Sequence, residues 1–302
     1  MTALTWDEVG ERFFETGVDR GVLYLPTAGV YDQGIAWNGI TGVTETPSGA
    51  EPTALYADNQ KYLNLISLEE FGGTITAYTY PDEFGQCDGT SEPTPGVFVG
   101  QQARSTFGLS YRTRVGNDEE GDALAYKLHL LYGATAKPSE RAYATVNDSP
   151  SAIEFSWEVS TTPVAVTGLR NTSLLTVDSR TVSAGALAAL EDLLYGTVGT
   201  DPSLPLPDDV IALVGGTALA TGVVVAGDAD SIDITGTTAN YKFTVEAWDG
   251  DSYGVVVGGN GVNEAAAEAL TLANGIHRVT LSAAAGYYVP TAQQKVFIVN
   301  VT

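Results

Sequence analysis

Apolar and polar residues alternate along much of the chain with the two-residue period of a half-buried β-strand. Residues 21–25 form a short apolar run. Residues 34–44 set Ile and Trp against small polar residues, and 73–80 alternate until Pro81 ends the pattern. Residues 106–114, 123–132 and 152–160 continue the series with β-branched and aromatic side chains. The polar stretch 115–122, Val-Gly-Asn-Asp-Glu-Glu-Gly-Asp, separates two of these runs and suits the tip of a long hairpin. Further on, residues 221–226, 231–235, 241–248, 253–257, 277–281 and 295–301 predict six short strands divided by turn residues. That spacing fits a small β-sandwich.

Helical spacing is rare. Ser183 is placed as an N-cap, Leu187, Leu190 and Leu194 follow at i, i+3 and i+7, and Gly196 ends the pattern. This predicts one helix with an apolar stripe, packed on a sheet. Thr5-Trp-Asp-Glu8 has the spacing of a capping box for a second, weaker helix that Gly10 opposes. Residues 265–270 fit a single helical turn between strands. Between Gly199 and Asp209 three prolines alternate with apolar and acidic residues, the pattern of an extended linker. The expected organisation is therefore a domain over 1–200, a Pro-rich linker over 201–210 and a β-sandwich domain over 211–302. The fold class is mainly β, and no internal repeat of fixed period stands out.

Charge narrows the possible partners. The 302 residues carry 14 Lys and Arg against 37 Asp and Glu, a formal net charge of -23. Such a chain lacks the cations to clamp nucleic acid or to dock on an anionic membrane. Residues 211–302 hold net -5 and the rest net -18, so the first domain carries most of the surplus. Cys87 is the sole cysteine, so no intrachain disulfide forms. The opening residues have neither a basic region nor an apolar run, and no stretch approaches 18 apolar residues. A soluble protein made in a reducing compartment is the expectation.

Candidate chemistry is sparse. His129 and His277 each sit inside a strand pattern and read as packed or surface histidines. No Cys/His cluster, nucleophile elbow or phosphate-binding glycine motif is present. Cys87 lies among Gly, Asp and Glu, where acidic neighbours disfavour a thiolate. The pairs Glu69-Glu70, Glu119-Glu120 and Asp208-Asp209 border turns and read as solvated loops. Asp228-Ala-Asp-Ser-Ile-Asp233 lacks the turn glycine and terminal Glu of a calcium loop. Trp6, Trp37, Trp157 and Trp248 fall mainly in strand patterns, which favours core or interface packing. No enzyme activity, metal or cofactor is expected.

The amino-terminal segment Leu4 to Tyr24, and above all Gly17-Val-Asp-Arg-Gly-Val-Leu-Tyr24, resembles the start of the major tail proteins of long, non-contractile-tailed bacteriophages. The resemblance continues through Gly34-Ile-Ala-Trp-Asn-Gly-Ile40, Tyr56-Ala-Asp-Asn-Gln-Lys-Tyr62, Thr74-Ile-Thr-Ala-Tyr-Thr-Tyr-Pro-Asp-Glu-Phe84 and Phe107-Gly-Leu-Ser-Tyr-Arg-Thr113, and covers about the first 200 residues. It implies a tail-tube β-barrel or sandwich with one flanking helix, matched here by residues 183–195, and an appended Ig-like β-sandwich. It implies a structural virion protein that assembles in the host cytoplasm. Homo-hexameric rings would stack into a tube around the tape-measure protein, bounded by tail terminator and distal tail proteins, with genomic DNA passing through without specific binding.

The residues are consistent with that role. A sheet edge can pair with a neighbouring subunit, and an acidic lumen repels phosphate, although the charge also serves solubility. The amino-terminal arm and the Pro/Gly-rich stretch 41–55 are the candidate ring-to-ring contacts, represented by Trp6, Phe13, Phe14, Thr46, Pro47, Glu51 and Pro52. The stretch 41–55 is expected to be a long loop and not regular strand. The competing reading is a surface- or carbohydrate-binding β-sandwich module. It draws on the proximity of Tyr241, Trp248 and Tyr253 in sequence.

Overall fold

In a computed structural model the predicted alternation becomes strand almost throughout. The residues described are 4–146, 148, 151–219, 222–284, 286–290 and 293–302. The start of the arm, residues 1–3, and Thr221 of one predicted strand lie outside them. The chain divides into two compact units, Met1–Arg180 with Pro202–Leu204, and Thr181–Asp201 with Pro205–Thr302.

The first unit contains β1 (Phe14–Thr27), β2 (Val30–Ala36), β3 (Ile40–Glu45), β4 (Ser48–Gly49), β5 (Pro52–Ala57), β6 (Gln60–Ile66), β7 (Glu69–Glu70), β8 (Gly72–Ala77), β9 (Ser91–Thr94), β10 (Val97–Val99), β11 (Phe107–Asn117), β12 (Gly121–Ala136), β13 (Phe155–Thr161) and β14 (Leu174–Asp178). Eight of these form one sheet in the order β2-β1-β11-β12-β13-β8-β3, with β14 also paired to β12. The turn between β2 and β3 interrupts the run predicted over 34–44, because Gly39 adopts a left-handed φ of 79°.

Trp37, Phe84, Phe107 and Trp157 are buried together in one core cluster. Phe84 lies 4.6 Å from Trp37, 5.4 Å from Phe107 and 5.2 Å from Trp157 between ring centroids. A 3-10 turn at Asp82–Gln86 delivers Phe84, and the Trp37 indole N–H donates to the Thr79 carbonyl at 2.9 Å. Each large ring therefore buries its area without leaving the indole donor unpaired.

The organising irregularity is Gly133. Residues Lys127–Leu131 of β12 pair with β14, whereas Ala134–Ala136 pair with β13. Gly133, at φ 59°, makes the bulge where β12 changes partner. Its carbonyl accepts from Thr162 N–H at 2.9 Å and its own N–H donates to the Tyr31 hydroxyl at 2.9 Å. A Cβ at this position would stand 2.3 Å from the Thr162 carbonyl oxygen.

Two expectations are corrected here. No helix forms after Thr5; Gly10 takes φ 88° and Asp7 φ 55°, so the first turn cannot propagate. The stretch 41–55 is not a loop. It enters β3, β4 and β5, with Pro52 at the first position of its strand, where a missing N–H costs least. The β5–β6 hairpin turns at Asp58 and Asn59, both at positive φ, as a two-residue hairpin turn requires.

The second unit holds α1 (Ala184–Tyr195), α2 (Pro207–Val214), β15 (Thr217–Ala218), β16 (Val224–Asp228), β17 (Ser231–Thr235), β18 (Tyr241–Trp248), β19 (Tyr253–Val255), α3 (Glu264–Glu268), β20 (Gly275–Ala283), β21 (Tyr287–Tyr288) and β22 (Val296–Val301). The sheet β19-β18-β20-β22 and the hairpin β16-β17 share one apolar core that includes Phe243, Val245, Ile232, Val279 and Phe297. This is a β-sandwich type of packing.

Ser183 caps α1 as predicted, its hydroxyl accepting from Ala186 N–H at 3.3 Å. The helix belongs to this unit and not to the first, because Ala186 and Ala189 pack with Tyr288 and Leu213. The expected linker is also shorter than 201–210. Leu204 is buried and pairs with Tyr31, Pro202 accepts from Gly34 N–H, and Pro207 opens α2 at a position where proline is preorganised.

Two stability outcomes follow. Gly133→Ala should lower unfolding free energy by more than about 2 kcal/mol, since it adds a steric clash to left-handed strain. Ser183→Ala should cost about 1 kcal/mol, and Ser183→Gly only a few tenths. Urea unfolding of the full chain measures all three.

Candidate assembly surfaces

Three long strands and one short one make a ribbon at one side of the first unit. The initial half of β1 pairs with β11 from Phe14↔Gly116 to Asp19↔Arg112, β11 pairs with β12, and β12 pairs with β14. All contacts are antiparallel. Among the described residues, no strand pairs with the outer edge of β1 before Val22 or with the outer edge of β14. The sheet ends in β2 and β3, and of these β2 is covered by Pro202–Leu204.

Ion pairs stud the ribbon. Asp19 accepts from Arg112 at 2.6 and 2.7 Å and from Arg114 at 3.3 Å. The Arg112 hydrogen bond is the largest influence holding the Asp19 carboxyl below its ordinary range. Arg114 also meets Asp122 at 3.0 Å, Lys127 pairs with Glu15, and Arg180 pairs with Asp178 at 2.6 Å. Each of these cations thus faces a carboxylate already.

His129 lies between β11 and β14 in a polar cluster. Its ring stacks on Tyr111 at 4.7 Å, its Nε2 is 2.9 Å from the Thr113 hydroxyl, and its Nδ1 is 3.5 Å from Glu45. Tyr111 donates its phenolic hydrogen to Glu45 at 2.7 Å. Burial is the largest influence on His129 and pulls its pKa below 6.5, against the opposing pull of Glu45 and Glu15. His277 is buried too, with Nδ1 3.2 Å from the Gly275 carbonyl. Cys87 is fully buried in the core, and burial, followed by Asp88, pushes its thiol up to about 12. The sequence pointed to the acidic neighbour, but desolvation dominates. Among the described residues, no three His, Cys, Asp and Glu side chains converge as a metal site requires. No described helix is long and apolar enough to cross a membrane.

The sequence candidates separate into two groups. Trp6, Phe13 and Phe14 are exposed at the end of the ribbon that carries the β11–β12 turn. There Gly10 N–H donates to Asp118 at 3.0 Å, and Asn117 donates to the Gly10 carbonyl at 3.1 Å. Arg12 donates to the Asp7 carbonyl at 2.7 Å, and Arg180 lies over the Phe13 ring at 5.2 Å. The arm is thereby tied down from Asp7 onward, with Trp6 76% exposed.

Thr46, Pro47, Glu51 and Pro52 are exposed in the segments leading into the β5–β6 hairpin, and Thr46 N–H donates to the Gly72 carbonyl at 2.8 Å. The hairpin itself was missed as an element. Both its strands are exposed, although it carries Leu55, Tyr56, Tyr62, Leu65 and Ile66. The Asp58-Asn59 pair between two apolar runs was the available signal. A two-stranded hairpin this exposed is marginal in water by itself.

At the foot of the hairpin lies a cleft of about 840 Å³, bounded by Pro47, Leu68, Phe71 and Leu174, with Arg170 and Ser173 among its polar groups. In the second unit Trp248 and Tyr253 meet at 4.9 Å on the outer face, Arg278 lies 4.5 Å over Tyr253, and Glu246 holds Arg278 by two hydrogen bonds. Tyr241, grouped with them in sequence, is buried on the opposite face.

No family model matches this chain, and neither does any curated protein. Among solved structures, a chain of the anti-feeding prophage (AFP) baseplate, determined by cryo-electron microscopy with 6-fold symmetrisation, is 12% identical with a TM-score of 0.29. The match covers 58% of this chain and 97% of that one.

The position of His129 generates a pH outcome. The unfolded chain takes up its proton near 6.5 while the folded chain resists it. Stability should therefore be full above that value and fall as pH drops below it. The depressed carboxylates Asp19, Asp178 and Asp249 act below 3.8, outside this window. Denaturation free energies between pH 7.5 and 5 should slope less in His129→Gln; an unchanged slope would assign the effect elsewhere.

Proposed function

We propose that this chain is the repeating structural subunit of a phage-like tail tube, closing into rings that stack around a lumen. The observation that carries the reading is the ribbon β1-β11-β12-β14, in which no strand among the described residues pairs with the outer edge of β1 before Val22 or of β14. Its strand number is even and every contact is antiparallel, so β14 of one copy meets β1 of the next in antiparallel sense. Such a contact is head-to-tail between copies, and when the rotation closes it makes a ring with one continuous sheet. Six copies is the number that the sequence resemblance implies. The net charge of -23 and the paired state of Arg112, Arg114, Lys127 and Arg180 support a conduit that DNA traverses without counterion-release binding. The role is structural and not catalytic, and tape-measure, terminator and distal tail proteins are its proposed neighbours in the virion tail.

A second reading has its own observation. The exposed Trp248 ring and the half-buried Tyr253 ring, flanked by the Arg278–Glu246 pair, offer an aromatic surface with polar rims, as sugar recognition uses. An appended β-sandwich of the Ig-like kind would then supply surface attachment.

Negative-stain microscopy and sedimentation velocity of the purified chain test the first reading. Rings or tubes at high concentration are the expected result, and a strict monomer at every concentration would refute it. Glycan-array binding abolished by Trp248→Ala is the outcome the second reading requires.

A further inference from the structure

Strand register defines the outer face of the four-stranded sheet in the second unit. Trp248 pairs with Tyr253. In the next row Glu246 lies between Val255 and Arg278, and Arg278 pairs with Ile298. These positions alternate with buried Val245, His277, Val279 and Val299, so they share the solvent side. Trp248, Val255, Ile276 and Ile298 are exposed there, and the paired Thr244 and Thr280 follow as a polar row. Arg278 lies 4.5 Å over the half-buried Tyr253 ring. It donates from Nε and Nη2 to the two oxygens of Glu246, at 2.7 and 2.9 Å, and its Nη1 donates to no described residue. Each Glu246 oxygen keeps a lone pair.

Size narrows the occupant. Four strands and two rows of side chains cover on the order of 300 Å² with side-chain reach. A stable protein partner takes about 800 Å² from each side. The patch is too small for that and large enough for a short oligosaccharide. A pyranose ring presents a C–H face that packs on an indole, and hydroxyls that both donate and accept. The Arg278 Nη1 donor and the Glu246 oxygens supply both complements within the same patch as Trp248.

Charge narrows it further. The unit has three Lys and Arg in all, Lys242, Arg278 and Lys295. Arg278 is paired with Glu246, and Lys295 with Asp192 at 2.9 Å. Lys242 stands six residues before Trp248 on β18, about 20 Å away. The turn directly after Trp248 carries Asp249 and Asp251, both exposed. Asp249 accepts from the Asp251 and Ser252 N–H groups at 2.9 and 2.8 Å, and the Asp251 bond is the largest influence holding its carboxyl below the ordinary range. The rim beside the indole is therefore acidic, and the one cation within the patch is already neutralised.

We infer that this face binds an uncharged hexopyranoside chain and rejects anionic glycans. Trp248 packs on the C–H face of one sugar ring, Arg278 Nη1 donates to a hydroxyl oxygen, and Glu246 accepts from a neighbouring hydroxyl. Asp249 and Asp251 repel carboxylate and phosphate groups at the rim. Tyr253 is a positioning residue beneath Arg278. The inference rests on the second reading above, the aromatic surface as a sugar site, and names its ligand class.

Titration calorimetry of the full chain tests it with cellohexaose, maltohexaose, chitohexaose and a galactan as neutral probes. Polygalacturonate and poly(glycerol phosphate) are the anionic ones. The proteins are wild type, Trp248→Ala, Trp248→Phe and Asp251→Lys, each checked for fold by circular dichroism; both positions are exposed, so the unit should stay intact. Wild type should bind at least one neutral probe and neither anionic one. Trp248→Ala should weaken that binding about 10-fold, and Trp248→Phe less. Asp251→Lys should raise affinity for the anionic probes several-fold, an effect that added salt removes. Wild-type preference for an anionic probe, lost in Trp248→Ala, would overturn the ligand class while the sugar-site reading stands. Binding that Trp248→Ala leaves unchanged, or no binding of any probe, would overturn both. A wild-type dimer in sedimentation velocity that Trp248→Ala dissociates would assign the patch to a second copy and overturn both as well.

Discussion

The architecture of the first unit depends on one backbone constraint, the left-handed bulge at Gly133 in β12. A strand of this length has two edges, and a regular ladder would keep the same neighbour along each. Here β12 keeps β11 on one side while its other side passes from β14 to β13. The extra residue rotates the strand at that point, and its two backbone groups are retained by Thr162 and by the Tyr31 hydroxyl. That change of partner lets one strand serve both the sheet over the aromatic core, through β13, and the ribbon, through β14.

That division sorts the chemistry. Beyond the bulge the strands bury Trp157, Phe107 and Ile75, and the hydrophobic effect supplies the stability. Before it the ribbon carries Asp19, Arg112, Arg114, Lys127 and Glu15, held in mutual ion pairs. Partly exposed pairs of this kind contribute little to stability. Their consequence is electrostatic: cations already bound to carboxylates are poor partners for phosphate. Among the described residues no strand pairs with the ribbon's outer edges, and an open strand edge is a template for a neighbouring strand.

Much of this was legible in the residues. The strands around Tyr111, Tyr126 and Trp157, the hairpin tip near Asp118, and the Ser183-capped helix each follow from local pattern, because side-chain alternation and capping act over a few residues. The β5–β6 hairpin escaped because its apolar residues are exposed on both faces, so no inside and outside alternation marks it. The prolines at 47 and 52 also read as loop punctuation, although one merely begins a strand. The arm helix failed for the opposite reason: its capping spacing was local and correct in kind, but Gly10 and the tie to Asp118 hold the chain in a single turn.

The amino-acid sequence by itself determined that the chain is β-rich and acidic, with a single cysteine and few residues suited to metal or nucleophile chemistry. These properties follow from composition and from short-range periodicity. Only the tertiary structure decided which strand edges pair, that α1 packs with the second unit, and to which end of the ribbon the arm is tied. Those facts depend on pairing between residues more than a hundred positions apart, such as Gly10 with Asp118, and on the single bulge that redirects β12. No local pattern encodes them, because register and partner choice are settled by the packing of the whole sheet.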